Sequence, residues 1–224
     1  MKFHLITIFP DIFSSYINEG MLKRAQAKKI IKFKIHNLRD WTTDKHRSVD
    51  DAPYGGGAGM LMKIEPLYQA LRDIKKINRP AKPSKRKVIL LSASGQKWNQ
   101  ALAKKYTKLE EIIFICGRYE GVDARIKNFV DEEISIGDYV LTGGELPALT
   151  IIDSITRLLP GVLGNKNSPI EESHSETGLL EYPQYTRPEI FKVGSKKYPV
   201  PAVLLNGDPK KIRVWQKEQQ KKTK

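Results

Sequence analysis

Short apolar runs alternate along the chain with segments in which apolar residues recur at helical spacing. The runs that have the composition of strands are residues 2–9, 31–36, 88–92, 111–116 and 132–136. The segments with helical spacing are residues 11–29, 64–77, 98–106, 145–159 and 210–221. Asp11 is the expected cap of the first helix. Because strands alternate with helices, the pattern predicts an α/β fold with a mainly parallel sheet.

Loops that contain glycine follow three of the predicted strands, at residues 92–95, 117–121 and 137–144. Ligands of open α/β sheets bind at the carboxyl ends of strands, so these loops predict a pocket built from the later strands. In the last loop, Gly143 and Gly144 would let the backbone approach a ligand closely, and apolar neighbours could enclose a purine. The alternative is a strand-to-helix connection that uses its glycines only for backbone conformation.

Several familiar motifs are absent. The glycine-rich residues 55–59 lack P-loop spacing, and both a nucleotide loop and a flexible turn stay open for them. The first strand is followed by Pro10 rather than by glycine, which disfavours an ordinary Rossmann enzyme. Ser173 has no nucleophile elbow around it, and the histidines lack metal-binding spacing. His4 is expected to pack in the core.

Length and cysteine content narrow the class of protein. The 224 residues suffice for one sizeable core and a small appended domain. The single cysteine, Cys116, excludes an intrachain disulfide and a cysteine-based zinc site. Residues 1–10 lack a signal-peptide cleavage site, and no apolar run reaches the roughly 18 residues of a membrane span. We therefore expect a cytoplasmic protein without a membrane partner.

The charge points to a polyanionic partner. Lysine and arginine number 39 against 25 acidic residues, a net charge of +14. Basic residues are concentrated at residues 82–87 and 210–224, which favours binding to nucleic-acid phosphates. The alternative is a solvated linker and tail.

A set of sequence motifs resembles one enzyme family. The motifs are residues 44–47 (DKHR), 49–51 (VDD), 54–57 (YGGG), 116–121 (CGRYEG), 136–147 (IGDYVLTGGELP), 160–164 (PGVLG) and 185–188 (YTRP). They occur in the order found in the tRNA (guanine-N1)-methyltransferase family and span nearly the whole chain. That family belongs to the SPOUT class, so the resemblance implies a mainly parallel sheet with a deep trefoil knot and a small C-terminal helical domain.

The resemblance also implies a domain organisation and a cofactor. A methyltransferase domain with the knot would span residues 1–163, a flexible linker residues 164–176, and a small basic tRNA-binding domain residues 177–224. S-adenosyl-L-methionine would be held in the knot, in a homodimer whose active sites are shared between subunits. Its implied neighbours are Leu91, Ser92, Gly117, Tyr119, Gly121, Ser135, Ile136, Gly137, Asp138, Tyr139, Val140, Leu141, Gly143, Gly144 and Pro147.

The catalytic residues are carried over from the family by position. Arg157 matches the catalytic arginine, and Asp50 is a further candidate. The family's general base is an aspartate, whereas Glu172 stands at the matching position, with Glu171 as the alternative if the register shifts by one. The competing interpretation is that Arg157 forms a surface pair with Asp153, four residues earlier on the same helix.

RNA and metal contacts follow from the same resemblance. Gly59, Arg118 and Lys211 are the candidate RNA-binding residues, although Asp50 and Arg118 could instead belong to structural ion pairs. The family depends on Mg²⁺, and Glu120 is a candidate participant, but the sequence shows no set of metal ligands. Family members often continue further past the last helix, so the small RNA-binding domain is expected to be trimmed here.

The implied reaction is transfer of a methyl group from S-adenosyl-L-methionine to N1 of the guanosine just 3′ of the tRNA anticodon. Guanine N1 carries a proton at neutral pH, so the reaction needs a general base and a cation near O6. Two alternatives stay open at this point. One is a SPOUT ribose 2′-O-methyltransferase, and the other is a non-enzymatic RNA-binding protein.

Overall fold

The computed structural model of the protein describes residues 1–77, 85–164, 173–174 and 178–222. Contacts within the chain divide it into two compact units, Met1–Gly164 and Asn165–Lys224. The α-helices are α1 (Ser14–Ile17), α2 (Gly20–Ala27), α3 (Ile64–Ile77), α4 (Gln100–Tyr106), α5 (Glu145–Thr156) and α6 (Pro209–Gln219). The strands are β1 (Lys2–Thr7), β2 (Lys32–Asn37), β3 (Asp50–Asp51), β4 (Leu61–Met62), β5 (Arg86–Lys97), β6 (Glu111–Ile115), β7 (Glu132–Ser135), β8 (Leu179–Leu180), β9 (Ile190–Val193), β10 (Lys196–Pro199) and β11 (Lys221–Lys222). Short 3-10 helices span Pro10–Phe13, Leu38–Trp41, Ala124–Phe129 and Ala202–Leu204.

The first unit is built around a parallel sheet of five strands in the order β2-β1-β6-β5-β7. β1 pairs with β2 on one side and with β6 on the other, so Phe3 lies between Phe33 and Ile112. β5 continues the sheet between β6 and β7. The predicted α/β class with a parallel sheet is therefore confirmed.

Two hydrophobic cores lie on opposite faces of this sheet. Phe3 points into one core together with Ile152 of α5, whereas Ile6 points into the other core together with Leu67 and Leu71 of α3. The division follows from strand geometry, because successive side chains project to opposite faces. Helix α3 begins and ends at the residues that its apolar spacing predicted.

The prediction of one helix over residues 11–29, capped by Asp11, is wrong. A 3-10 helix begins at Pro10, with Phe9 as its N-cap residue, and α1 follows it directly. Glu19 is then extended and Gly20 has a φ of +54°, a left-handed conformation that interrupts an α-helix. The apolar spacing predicted the buried face correctly, but these backbone conformations divide the segment into separate helices.

Strand β5 is longer than predicted, because residues 92–95 interrupt its pairing with β7 without ending it. Leu91 and Gln96 both pair with Ile134 of β7. Gly95 approaches the backbone of Glu133 and Ile134 so closely that a Cβ atom would overlap it. The serine- and glycine-containing segment that resembles a turn is therefore a bulge beside a neighbouring strand.

The second unit contains short strands in addition to its predicted basic helix. β9 and β10 form an antiparallel hairpin, and β8 pairs with β11. Helix α6 is capped by Asp208, whose side chain accepts hydrogen bonds from the backbone N–H groups of Lys210 and Lys211. Pro209 at the first helical position fits the same start.

Candidate active site

A cavity of about 480 Å³ opens at the carboxyl ends of β5, β6 and β7. Its walls come from the three loops that the sequence predicted to form a pocket. The residues that were predicted to bind the cofactor and that line it are Leu91, Ser92, Gly117, Tyr119, Gly121, Ser135, Ile136, Gly137, Tyr139, Val140, Leu141, Gly143, Gly144 and Pro147. The volume lies within the range of small-molecule sites, roughly 300–1,000 Å³.

Two of these loops are joined directly to each other. The backbone N–H of Gly144 donates to the carbonyl oxygen of Gly117 at 2.9 Å. A Cβ atom at Gly144 would lie 2.7 Å from Cα of Cys116, so this contact requires glycine. The loop after β7 is shaped further by Ser135, whose hydroxyl donates to the carbonyl of Gly137 at 3.0 Å.

Asp138 is placed differently from its neighbours. It is absent from the cavity wall, and its exposed carboxylate pairs with Lys97. Conversely, the charged side chains of Glu120, Lys127 and Glu133 line the cavity although the resemblance did not include them among the cofactor contacts. Lys127 Nζ lies 3.0 Å from Glu133 Oε2.

A buried polar network lies beside the cavity. Glu145 is only 1% exposed, and its two carboxylate oxygens accept hydrogen bonds from Thr7 Oγ1 at 2.6 Å and from Arg118 Nε at 2.9 Å. The guanidinium of Arg118 also donates to the carbonyl of Thr142 at 3.3 Å and lies 4.8 Å from the centre of the Phe9 ring. Sequence reasoning missed Thr7 and Glu145. An acidic residue at the start of an otherwise apolar helix was the available signal.

The environment of the cavity shifts the pKa of two neighbouring groups. Burial, reinforced by the charge of Glu145, raises the pKa of the Cys116 thiol, so this cysteine stays protonated and unreactive. Burial and a hydrogen bond with Asp50 raise the pKa of the Tyr119 hydroxyl. Asp50 on β3 is therefore next to Tyr119, and Tyr119 lines the cavity. The backbone of Tyr119 has a left-handed φ of 60°.

Comparison with known proteins decides the family. The family model described as tRNA (Guanine-1)-methyltransferase TrmD matches residues 1–224. The chain therefore belongs to the tRNA (guanine-1)-methyltransferase family. A tRNA (guanine-N(1)-)-methyltransferase of Dictyoglomus turgidum is 51% identical over 100% of this chain and 86% of its own length. Similar enzymes of Clostridioides difficile and Desulfitobacterium hafniense are 51% and 49% identical over 98% of this chain, and over 92% and 79% of their own lengths.

Family membership makes the protein an enzyme that uses a methyl donor, which in this family is S-adenosyl-L-methionine. The predicted catalytic residues occupy different places. Arg157 is half-buried at the carboxyl end of α5, where its backbone N–H donates to the carbonyl of Asp153. Asp50 does not line the cavity itself but is next to Tyr119, which does. Glu171 and Glu172 lie outside the described residues.

The predicted RNA-binding residues also differ in their surroundings. Gly59 lies against Glu120, whose side chain occupies the space that a Cβ atom at Gly59 would need. Arg118 is engaged with Glu145, which favours the structural ion pair considered as the alternative for this arginine. Lys211 is exposed on α6 of the second unit. No helix in the described part of the chain has the length and apolar character needed to cross a bilayer.

The described residues also contain no group of three or more histidine, cysteine, aspartate or glutamate side chains arranged to hold a metal ion. The single cysteine is buried and has no disulfide. Glu120, the candidate for Mg²⁺, lines the cavity without companion ligands of this kind.

Proposed function

We propose that the protein transfers a methyl group from S-adenosyl-L-methionine to N1 of the guanosine just 3′ of the tRNA anticodon. The observation that carries the proposal is the cavity at the ends of β5, β6 and β7 in a chain that matches the methyltransferase family from end to end. The curated relatives are named for the same nitrogen atom.

The cavity has the chemical character that the cofactor needs. Apolar side chains of Leu91, Ile136, Leu141 and Pro147 can enclose an adenine ring, and the glycine-containing loops offer backbone N–H and C=O groups to its polar edge. The cofactor, when bound, supplies a methyl group that its sulfonium has already activated. The main task of the protein is then to align the guanine and to remove its N1 proton.

The acceptor chemistry is assigned to two side chains. Glu172 accepts the N1 proton, because N1 becomes a nucleophile only after it is deprotonated. Arg157 stabilises the negative charge that develops on O6. Asp50 acts at the edge of the same site, beside the hydroxyl of Tyr119, which lines the cavity. Mg²⁺ is a further requirement that we carry over from the family, with Glu120 as its candidate contact.

The same proposal includes the knot that the SPOUT class implies. Support comes from chain segments that meet at the cavity. Residues 92–95 leave the β5–β7 ladder and return to the same partner, Ile134. The loop after β7 also bonds back to Gly117 in the loop after β6. A site made from such crossed loops holds its ligand with backbone groups from several segments.

A homodimer with shared active sites is the proposed assembly. Large apolar side chains are exposed around the start of α5 and the neighbouring 3-10 helix, among them Phe9, Ile12, Tyr16 and Leu146. Exposed apolar patches of this kind mark protein interfaces, and we expect a second copy of the chain to bury this patch. Analytical ultracentrifugation should find a dimer at micromolar concentration, and a monomer there would contradict this part.

The tRNA partner and the domain roles are supported by charge. The net charge of +14 favours a polyphosphate. In the second unit, Lys210, Lys211, Arg213 and Lys217 share the exposed helix α6. We assign tRNA binding to this C-terminal unit and methyl transfer to the first unit. A cytoplasmic location completes the proposal, since tRNA is the substrate.

The test is methylation of an unmodified tRNA transcript with labelled S-adenosyl-L-methionine. We expect label on the wild-type transcript and none on a transcript with adenosine in place of the guanosine 3′ of the anticodon. Primer extension on the product should stop at the modified base, because N1 lies on the Watson–Crick face. Equal labelling of both transcripts would refute the site. Label without a stop would indicate ribose 2′-O-methylation, and no binding of the cofactor would leave an RNA-binding protein.

A further inference from the structure

The network of Thr7, Glu145 and Arg118 joins parts of the chain that are far apart in sequence. Thr7 ends β1, Arg118 lies in the loop after β6, and Glu145 begins α5. The Glu145 carboxylate accepts a hydrogen bond from Thr7 Oγ1 at 2.6 Å and another from Arg118 Nε at 2.9 Å. Arg118 lines the cavity, whereas Glu145 and Thr7 lie behind it, and none of the three is assigned a role in the reaction proposed above.

Arg118 connects two walls of the cavity. Its own backbone belongs to the loop after β6, and its guanidinium donates to the carbonyl of Thr142 in the loop after β7. The same guanidinium occupies the space beside Gly143, where a Cβ atom would overlap Nε. The position of this one side chain therefore determines how closely the two loops approach each other.

Glu145 determines the position of Arg118. A carboxylate that is 1% exposed needs a paired cation and hydrogen-bond donors, because unpaired buried charge is costly. One oxygen accepts from Arg118 and the other from Thr7, so the orientation of the carboxylate is set from both sides. Thr7 is held in turn, because its hydroxyl accepts a hydrogen bond of 2.9 Å from the backbone N–H of Phe9.

We propose that Glu145, oriented by Thr7, is a positioning residue that holds Arg118 so that the loops after β6 and β7 keep the shape that binds the methyl donor. This inference rests on the proposed function, since it assumes that the cavity holds S-adenosyl-L-methionine. Glu145 does not line the cavity, so we assign it no contact with the donor or the guanine. It acts through Arg118 and the carbonyl of Thr142.

The substitution Glu145→Gln removes the charge and retains the shape. Thr7 and Arg118 donate to different oxygens of the carboxylate, and the amide replaces one of these acceptors with an NH2 donor, so one of the two hydrogen bonds is lost. We expect the Kd and the KM for S-adenosyl-L-methionine to rise about tenfold or more, which is the scale of one charge-assisted hydrogen bond. The kcat at saturating donor should fall less than the affinity does, because the reacting groups are unchanged.

Thr7 supplies a milder pair of variants that keeps the test usable if Glu145→Gln does not fold. Thr7→Val keeps the volume and removes the hydroxyl, and we expect it to weaken donor binding about threefold. Thr7→Ser restores the hydroxyl, and we expect it to bind the donor as the wild type does. A role limited to stability would not produce this rescue in the Kd.

Glu132→Gln is the matched control. Glu132 also carries a basic partner and a hydroxyl donor, Lys87 and Tyr106, but it lies outside the cavity wall. We expect this variant to lower the Tm without changing the Kd for the donor.

Binding is measured by calorimetry on the full-length protein, well below the Tm of every variant. Wild-type affinity for the donor in both Glu145→Gln and Thr7→Val would overturn the positioning role. The role would also be overturned if Glu132→Gln lost as much affinity for the donor as Glu145→Gln does, because lower stability alone would then explain the weaker binding. If the wild type itself gives no binding signal, the proposed function fails first. The two failures are therefore distinguishable.

Discussion

A buried pair of histidines should make the stability of this protein depend on pH. His4 is completely buried in β1, which confirms the core position expected from the sequence. Its Nε2 lies 3.1 Å from Oε1 of Glu111, and its Nδ1 lies 2.8 Å from Nε2 of His36. Since the carboxylate can only accept, His4 donates from Nε2. Burial keeps His4 neutral in the folded protein, so its Nδ1 accepts a hydrogen bond from His36.

The magnitude follows from the pKa of His4. Burial, reinforced by the positive potential of His36, Lys2, Lys34 and Arg86, lowers this pKa from 6.5 to about 3. Below pH 6.5 the unfolded chain therefore binds a proton that the folded chain excludes. The full stability is present above pH 6.5 and declines by about 1.4 kcal/mol per pH unit as the pH falls toward 3. His4 alone should cost about 2 kcal/mol between pH 6.5 and 5.

The assay is urea unfolding at several pH values from about 5 to 7, which avoids the range where most carboxylates titrate. The wild type is compared with His4→Gln, which cannot titrate. We expect the variant to differ from the wild type by a constant amount above pH 6.5 and to lose about 2 kcal/mol less on going down to pH 5. Burial also lowers the pKa of His36 to about 4, so a residual pH dependence should survive in the variant. Parallel stability curves for the wild type and His4→Gln would show that His4 does not exclude a proton in the folded protein.

Three further predictions concern the cavity and the reaction. Arg157→Ala should reduce the kcat for tRNA methylation at least about a hundredfold while the Kd for S-adenosyl-L-methionine changes little, and an unchanged kcat would remove its role. Gly143→Ala should weaken donor binding about tenfold or more, because the new methyl group would overlap Arg118 Nε; wild-type affinity by calorimetry would contradict this. Asp138→Asn should leave the Kd unchanged, because its carboxylate pairs with Lys97 away from the cavity wall, and a tenfold loss would show that it contacts the cofactor after all.

The sheet could be predicted from sequence because its strands are local signals: β1, β6 and the start of β5 are apolar runs, and β2 alternates apolar and polar residues. The bounds of α3 followed for a similar reason, since Leu67 and Leu71 repeat on one face of a single helix. The prediction of one helix after β1 was wrong because apolar spacing indicates only which side of a segment is buried. It does not reveal the left-handed backbone at Gly20. The predicted end of β5 was wrong because the continuation of this strand past residues 92–95 depends on pairing with β7, which is more than thirty residues away in the sequence.

The candidate site divides in a similar way. Glycines at the ends of strands predicted the pocket, and the family resemblance supplied most of the residues that line it. Thr7 was missed because nothing local distinguishes a threonine in a strand. Glu145 was missed because an acidic residue in the first turn of a helix is common, so this local signal did not indicate a buried carboxylate. Their importance appears only where β1, the loop after β6 and α5 meet. RNA binding by Arg118 stays a prediction, whereas its pairing with Glu145 was recognisable only in three dimensions.

The fold class, the family and the place of the pocket could all be inferred from the order of residues along the chain. Alternation of apolar residues and the order of the motifs are properties of the chain, and they need no knowledge of which distant segments touch. Which polar groups are buried together, such as His4 with Glu111 or Thr7 with Glu145, became apparent only from the three-dimensional packing. The reason is physical: burial, and with it the pKa and the need for a partner, depends on the whole surrounding packing rather than on neighbouring residues.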